Sequence, residues 1–289
     1  MKSRTHRLTL RADRHPPLGD DGGMSETANP IDGTQISFDE SGEGPPLVLV
    51  HGSGLSRSIW RGFGYIAALR EHYRVIAVDL RGHGRSGKPH TPEAYAMPLV
   101  VADILAVLDA LDAPAAHYFG YSFGARAGFS LAVAHPDRML SLVSAGGTYR
   151  APGGSVSELF FPDYDPALGR GGMPGFLEGW AARSGRPIDP QTSAAFLAND
   201  AEALRAYFRQ VEVEPGIPDA RLATLATPTL LLAGTADRER YIDSERAASL
   251  MPNASFRALP GRDHGNTLRS ADAVLKEVVP FFAAIPRVD

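Results

Sequence analysis

The segment Gly120-Tyr121-Ser122-Phe123-Gly124 sets a serine between two glycines, after an apolar run and ahead of a helical pattern. A serine in such a strand-to-helix turn is held in a strained backbone with its hydroxyl exposed, and the flanking glycines remove clashes with neighbouring backbone. That is the local setting of a nucleophile. A serine hydroxyl attacks poorly at neutral pH until an imidazole takes its proton, so the chemistry demands a histidine, and a carboxylate to orient it, elsewhere in the chain. The short pattern arises by chance too readily to decide anything alone.

Three further stretches supply the partners. His51-Gly52-Ser53-Gly54 follows the run Leu47 to Val50, where a turn can aim a backbone N–H at an oxyanion. Asp237 closes Gly234-Thr235-Ala236-Asp237 after the run Thr229 to Ala233, and His264 lies in Gly261-Arg262-Asp263-His264-Gly265 after the run ending at Leu259. Both addresses lie just past the carboxyl end of a strand-like run, where open α/β sheets place their sites. Asp243 lies close enough in sequence to compete with Asp237, and Asp263 reads as a turn residue. His51 and His83, each beside glycine, read as structural.

These residues need a scaffold. Pro46 to Val50, Val75 to Asp79, Ala116 to Gly120, Leu140 to Ala145, Thr229 to Ala233 and Ser255 to Leu259 read as strands. Val100, Ile104, Leu108 and Leu111 recur at helical spacing, and Phe123 to Ala134 and Tyr241 to Leu250 also read as helices. The alternation predicts an α/β fold, a mostly parallel sheet with helices on both faces. Residues 1 to 30 are polar and aperiodic and read as a disordered extension, with Met24 offering an alternative start. The core is assigned to 31–149 and 216–289, and 150–215, without a strand-like run, to a small helical cap inserted after the strand Leu140 to Ala145. Phe160, Phe161 and Trp180 in the cap could line an apolar pocket, although packing against the core is the more ordinary role for any one aromatic.

Composition narrows the function. The chain has 289 residues, 44% apolar and 21% charged, which is globular. Its net charge of −4, with no long basic run, speaks against nucleic acid as a partner. It has no cysteine, which removes disulfides, thiolate metal sites and a cysteine nucleophile together. No apolar run approaches a membrane span and the first residues lack a signal-peptide block, so a cytoplasmic protein with no membrane partner is expected. Gly82-His83-Gly84-Arg85-Ser86-Gly87 matches a dinucleotide fingerprint, but its spacing from the strand is wrong and Lys88-Pro89-His90-Thr91-Pro92 follows, so no helix N-terminus is set to receive a pyrophosphate. No metal-binding His spacing is present either, and no cofactor is expected.

Taken together the chain resembles the α/β-hydrolase fold serine hydrolases, with nucleophile, acid and histidine in that family's order. The resemblance runs from about residue 31 to the C-terminus and includes Val75 to Gly87, VIAVDLRGHGRSG, similar to the family's loop after its next strand. It implies Ser122 as nucleophile, His264 as base, Asp237 as orienting carboxylate, and the N–H groups of Ser53 and Phe123 as the oxyanion hole. It also implies a small-molecule substrate, a small or medium carboxylic ester cleaved through an acyl-enzyme. Carbon-carbon hydrolases, lactonases, cofactor-free perhydrolases and a hydrolase-fold small-molecule sensor share the same residues. A serine where the haloalkane dehalogenase and epoxide hydrolase branches use aspartate argues against those two. The oxyanion turn lacks the three-glycine run that in relatives goes with esters of bulky tertiary alcohols. Trp60, nine residues past His51, is similar to a residue of carbon-carbon hydrolases and joins the pocket candidates.

Overall fold

The computed structural model describes residues 23–150 and 153–286. Eight strands among them, β1 (Met24–Ala28), β2 (Gln35–Ser41), β3 (Pro46–Val50), β4 (Arg74–Val78), β5 (Ala116–Tyr121), β6 (Met139–Ala145), β7 (Thr229–Gly234) and β8 (Ala254–Leu259), form one sheet in the order β1-β2-β4-β3-β5-β6-β7-β8. The six from β3 onward run parallel, and β1 and β2 join antiparallel at one edge.

The alternation along the parallel strands explains why they read as continuous apolar runs. Leu47 and Leu49 of β3 face one buried cluster while Val48 and Val50 face the other. A period of two with both faces covered makes every residue apolar. Two short helices, α1 (Ser58–Gly62) and α2 (Tyr65–Leu69), lie on one face, and α3 (Met97–Ala110) and α4 (Phe123–Ala134) on the other.

After β6 the chain leaves the sheet for α5 (Ser155–Leu159), α6 (Tyr164–Ser184), α7 (Pro190–Leu197), α8 (Ala201–Val213) and the single turn α9 (Asp219–Leu222), and returns at β7. Side-chain caps fix two of these helix starts: Asp189 accepts from Thr192 N at 3.0 Å, and Asp200 from Glu202 N and Ala203 N, both at 3.0 Å. Phe160, Phe176, Phe196 and Phe208 pack ring against ring at the centre of the segment. The fold closes with α10 (Arg238–Leu250) beside the α3/α4 face and α11 (Ala271–Ala283) beside α1 and α2. No helix among the described residues is long and apolar enough to cross a membrane.

One expectation changes at the N-terminus. Residues 1–22 of the expected extension lie outside the described residues, but Met24–Ala28 is the edge strand, in register from Met24 against Asp39 to Ala28 against Gln35. Its exposed sequence MSETA carries no apolar alternation, because an edge strand has little to bury. The following turn is held to α3 by Asn29, whose amide donates to Asp103 Oδ1 at 2.6 Å and Leu99 O at 3.0 Å.

Candidate active site

Ser122 sits between β5 and α4 with φ 55° and ψ −118°, a region that side chains other than glycine rarely occupy. Its amide donates to Ala145 O at 2.9 Å, while its carbonyl accepts from Ala125 N and Arg126 N at 3.0 and 3.1 Å. The neighbouring backbone leaves no room beside it. A Cβ on Gly120 would lie 2.5 Å from Ala125 N, and one on Gly124 would collide with Val50 O and lie 2.6 Å from His51 O. The two glycines therefore let α4, the β3 strand end and the turn His51 to Gly54 meet at one point.

β7 and β8 bring the other two groups. His264 Nε2 is 2.8 Å from Ser122 Oγ, and His264 Nδ1 is 2.8 Å from Asp237 Oδ2. An ionised carboxylate only accepts, so Nδ1 carries the proton and Nε2 is left to accept from the Ser122 hydroxyl. Asp237 is 6% exposed. The histidine loop is built as a short capped turn, in which Asp263 Oδ1 accepts from Asn266 N at 3.0 Å and Asn266 Oδ1 from Asp263 N at 2.9 Å. Asp263 thus has the turn role read from the sequence. Asp243 points elsewhere, pairing with Arg150.

The turn His51 to Gly54 is fixed by two buried histidines. His51 Nε2 accepts from Leu80 N at 3.1 Å with Nδ1 on Gly52 O at 2.8 Å, and His83 Nε2 accepts from Gly54 N at 3.0 Å with Nδ1 on Arg81 O at 2.9 Å. Burial holds both rings neutral, pushing His83 down to about 3 and lowering His51 as well. Neither the Ser53 nor the Phe123 amide has a protein acceptor among the described residues, and Phe123 opens α4, where first-turn amides point beyond the helix.

Other residues of the site were not legible in the sequence. Tyr121 stacks on the His264 ring at 5.5 Å and 22°, and its hydroxyl donates to His264 O at 2.6 Å, so the strand itself steadies the imidazole. Tyr207 of α8 meets Ser53 Oγ at 2.6 Å, across 154 positions of sequence. Arg240, in the first turn of α10, lies 3.8 Å from Asp237 Oδ1.

A cavity of about 410 Å³ opens at Ser122 and His264 between the sheet and the helical segment. Ser53, Phe160, Trp180 and Phe196 help line it. Two pocket expectations fail. Trp60 is fully buried on the far face, 5.4 Å from Tyr65 and 4.9 Å from Phe119, because α1 turns it under the sheet. Phe161 packs on Phe176 at 5.3 Å, with Gly179 close against its ring, and faces the interior of the helical segment.

Comparison with known proteins accords with this architecture. Residues 45–210 match the family model for the alpha/beta hydrolase fold. A pimeloyl-acyl-carrier-protein methyl ester esterase from Xanthomonas campestris is 34% identical over 270 residues, covering 87% of this chain and 100% of that protein. A 2-hydroxymuconate semialdehyde hydrolase from Pseudomonas sp. CF600 is 30% identical over 229 residues, 79% of this chain and 71% of that one. The crystal structure of an esterase from Rhodococcus sp. ECU1013 superposes with a TM-score of 0.76 at 25% identity, over 91% of this chain and 99% of the other. Matches to three other relatives are shorter, and there the chain spans 40%, 23% and 42% of the relative's own length. On the family match and the full-length relative, the chain belongs to the α/β-hydrolase fold family.

Proposed function

We propose that this protein is a serine hydrolase that cleaves a small or medium carboxylic ester through an acyl-enzyme. The observation that carries the reading is the unbroken relay from Ser122 Oγ through His264 to Asp237, each contact 2.8 Å. Ser122 Oγ attacks the ester carbonyl carbon as its proton passes to His264 Nε2, and Asp237 stabilises the imidazolium that forms. The carbonyl oxygen becomes an oxyanion received by the Ser53 and Phe123 amides, donors of a kind worth about 2.7 to 4 kcal/mol each in comparable sites. The C–O bond to the leaving group then breaks, His264 gives its proton to the departing oxygen, and the alcohol is released. Water repeats the sequence on the acyl-enzyme, yielding the carboxylic acid and free Ser122. The helical segment α5 to α8 serves as a cap that roofs the substrate cavity with Phe160, Trp180 and Phe196.

The methyl ester esterase relative supports an ester as the scissile bond. The 2-hydroxymuconate semialdehyde hydrolase relative favours a second reading, carbon-carbon cleavage by the same residues. A fluorophosphonate probe and a substrate panel test both. We expect labelling of Ser122, turnover of p-nitrophenyl esters, and loss of both in Ser122→Ala, with kcat/KM down by about 10⁴-fold or more and the melting temperature nearly unchanged. Turnover of a vinylogous diketone with none of any ester selects the second reading. No labelling, with a ligand still raising the melting temperature, overturns the enzyme reading in favour of a sensor.

A further inference from the structure

Ser122 borders a second, smaller chamber. It holds about 60 Å³ and is lined by Ser53, Ser122 and Phe123 on the side of the oxyanion turn and by Arg126, Thr148 and Arg240 beyond. His264 borders the large cavity and not this one.

Arg126 is the unusual member. It is 7% exposed, and among the described residues no carboxylate forms an ion pair with it. Its one hydrogen bond among the described residues is from Nη2 to the backbone carbonyl of Glu214, at 2.8 Å. A guanidinium has five N–H donors and keeps its charge in proteins, so a buried one with a single neutral acceptor is costly. Burial lowers its pKa, with Tyr207 and Glu214 partly opposing. Arg240 brings a second guanidinium to the chamber, but Glu239 Oε2 at 3.1 Å and Asp237 Oδ1 at 3.8 Å already engage it. The unmet charge is therefore that of Arg126.

Resting on the serine hydrolase reading, the two chambers divide the substrate. The leaving group must lie beside His264 to take its proton, which puts it in the large cavity. The acyl group then points the other way, into the small chamber. We propose that this chamber is an anion subsite, and that the preferred substrates are half-esters of short dicarboxylic acids, whose free carboxylate is held by Arg126. The chamber is small, about 60 Å³, which suits a short arm and excludes a long acyl chain. The planar fork of arginine matches a carboxylate in two parallel hydrogen bonds, which a neutral acyl tail of equal length cannot supply. Hydrolysis consumes one water and releases the alcohol and the dicarboxylic acid.

The test compares kcat/KM for monobenzyl succinate with that for benzyl pentanoate, a near-isostere without the charge, alongside fluorophosphonate labelling of Ser122. The wild type is expected to favour the half-ester by at least tenfold. Arg126→Gln is expected to reduce that ratio at least tenfold, and Arg126→Lys, which keeps the charge, to reduce it less. Should Arg126→Gln lose labelling through misfolding, the wild-type ratio and the Arg126→Lys variant still decide. A wild-type ratio near one, or a ratio unmoved by either substitution, with Ser122 labelled throughout, overturns the anion subsite and leaves the hydrolase reading standing. A wild type that is not labelled and turns over neither ester overturns the hydrolase reading instead.

Discussion

His264 uses both ring nitrogens, one toward Ser122 and one toward Asp237, so its tautomer is set by the carboxylate and not by the serine. Asp237→Asn replaces an acceptor by an amide that can donate, and so favours the tautomer whose proton blocks attack. We expect kcat/KM to fall about 10³- to 10⁴-fold with little change in thermal stability. Full activity in that variant contradicts the assignment. The three residues Ser122, Asp237 and His264 were legible because each lies just past a strand-like run, where residue type and address coincide. Trp60 and Phe161 were not, since an aromatic side chain declares itself apolar without declaring which side of a sheet or helix it takes. Arg126 gave no signal either. Its meaning lies in forming no ion pair with a carboxylate among the described residues, which only the packed structure reveals.

Among the elements, β3, α4 and the turn His51 to Gly54 meet at Gly124. Gly124→Ala drives a methyl group into two backbone carbonyls, those of Val50 and His51, and neither can move without separating the helix from the strand. Overpacking of this kind costs about 1 to 3 kcal/mol. Thermal melting should show that loss, with kcat/KM at least tenfold lower because the Ser53 amide shifts from Ser122. Gly62→Ala, where the space is open, is the control and should cost neither. Helix α8 reaches the same turn through Tyr207, so Tyr207→Phe should lower kcat up to about tenfold while the fold persists. An unchanged kcat would show that α8 only covers the turn. The central parallel strands and α4 were readable because burial on both faces leaves an unbroken apolar run. The antiparallel edge was not, since MSETA keeps a surface composition and QISFDES buries only two apolar side chains, Ile36 and Phe38, too few to stand out as a strand-like run.

For the whole molecule, buried neutral histidines tie stability to pH. His117 lies under the sheet, with Nδ1 2.8 Å from Ser141 Oγ and its ring between Tyr73 and Phe282, and burial pushes it from 6.5 down to about 4. The unfolded imidazole takes a proton near pH 6.5 and the folded one only near 4, so between those values the unfolded chain binds the extra proton. Stability conferred by the neutral ring is therefore whole above pH 6.5 and drains away as the pH falls toward 4. Urea midpoints measured from pH 7 to 4.5 should decline, and His117→Gln should flatten that decline. Equal slopes in both proteins would refute the role of His117, while His83 would still contribute its share.

The excursion between β6 and β7 also orders events in time. Ser122 and His264 stand 142 positions apart, with the whole helical segment translated between them. A nascent chain can finish the turn that carries Ser122 long before the strand that delivers His264 has left the ribosome. On the proposed mechanism a prematurely released polypeptide would thus carry a nucleophile without a base, so that hydrolytic competence would itself report that translation has passed β8.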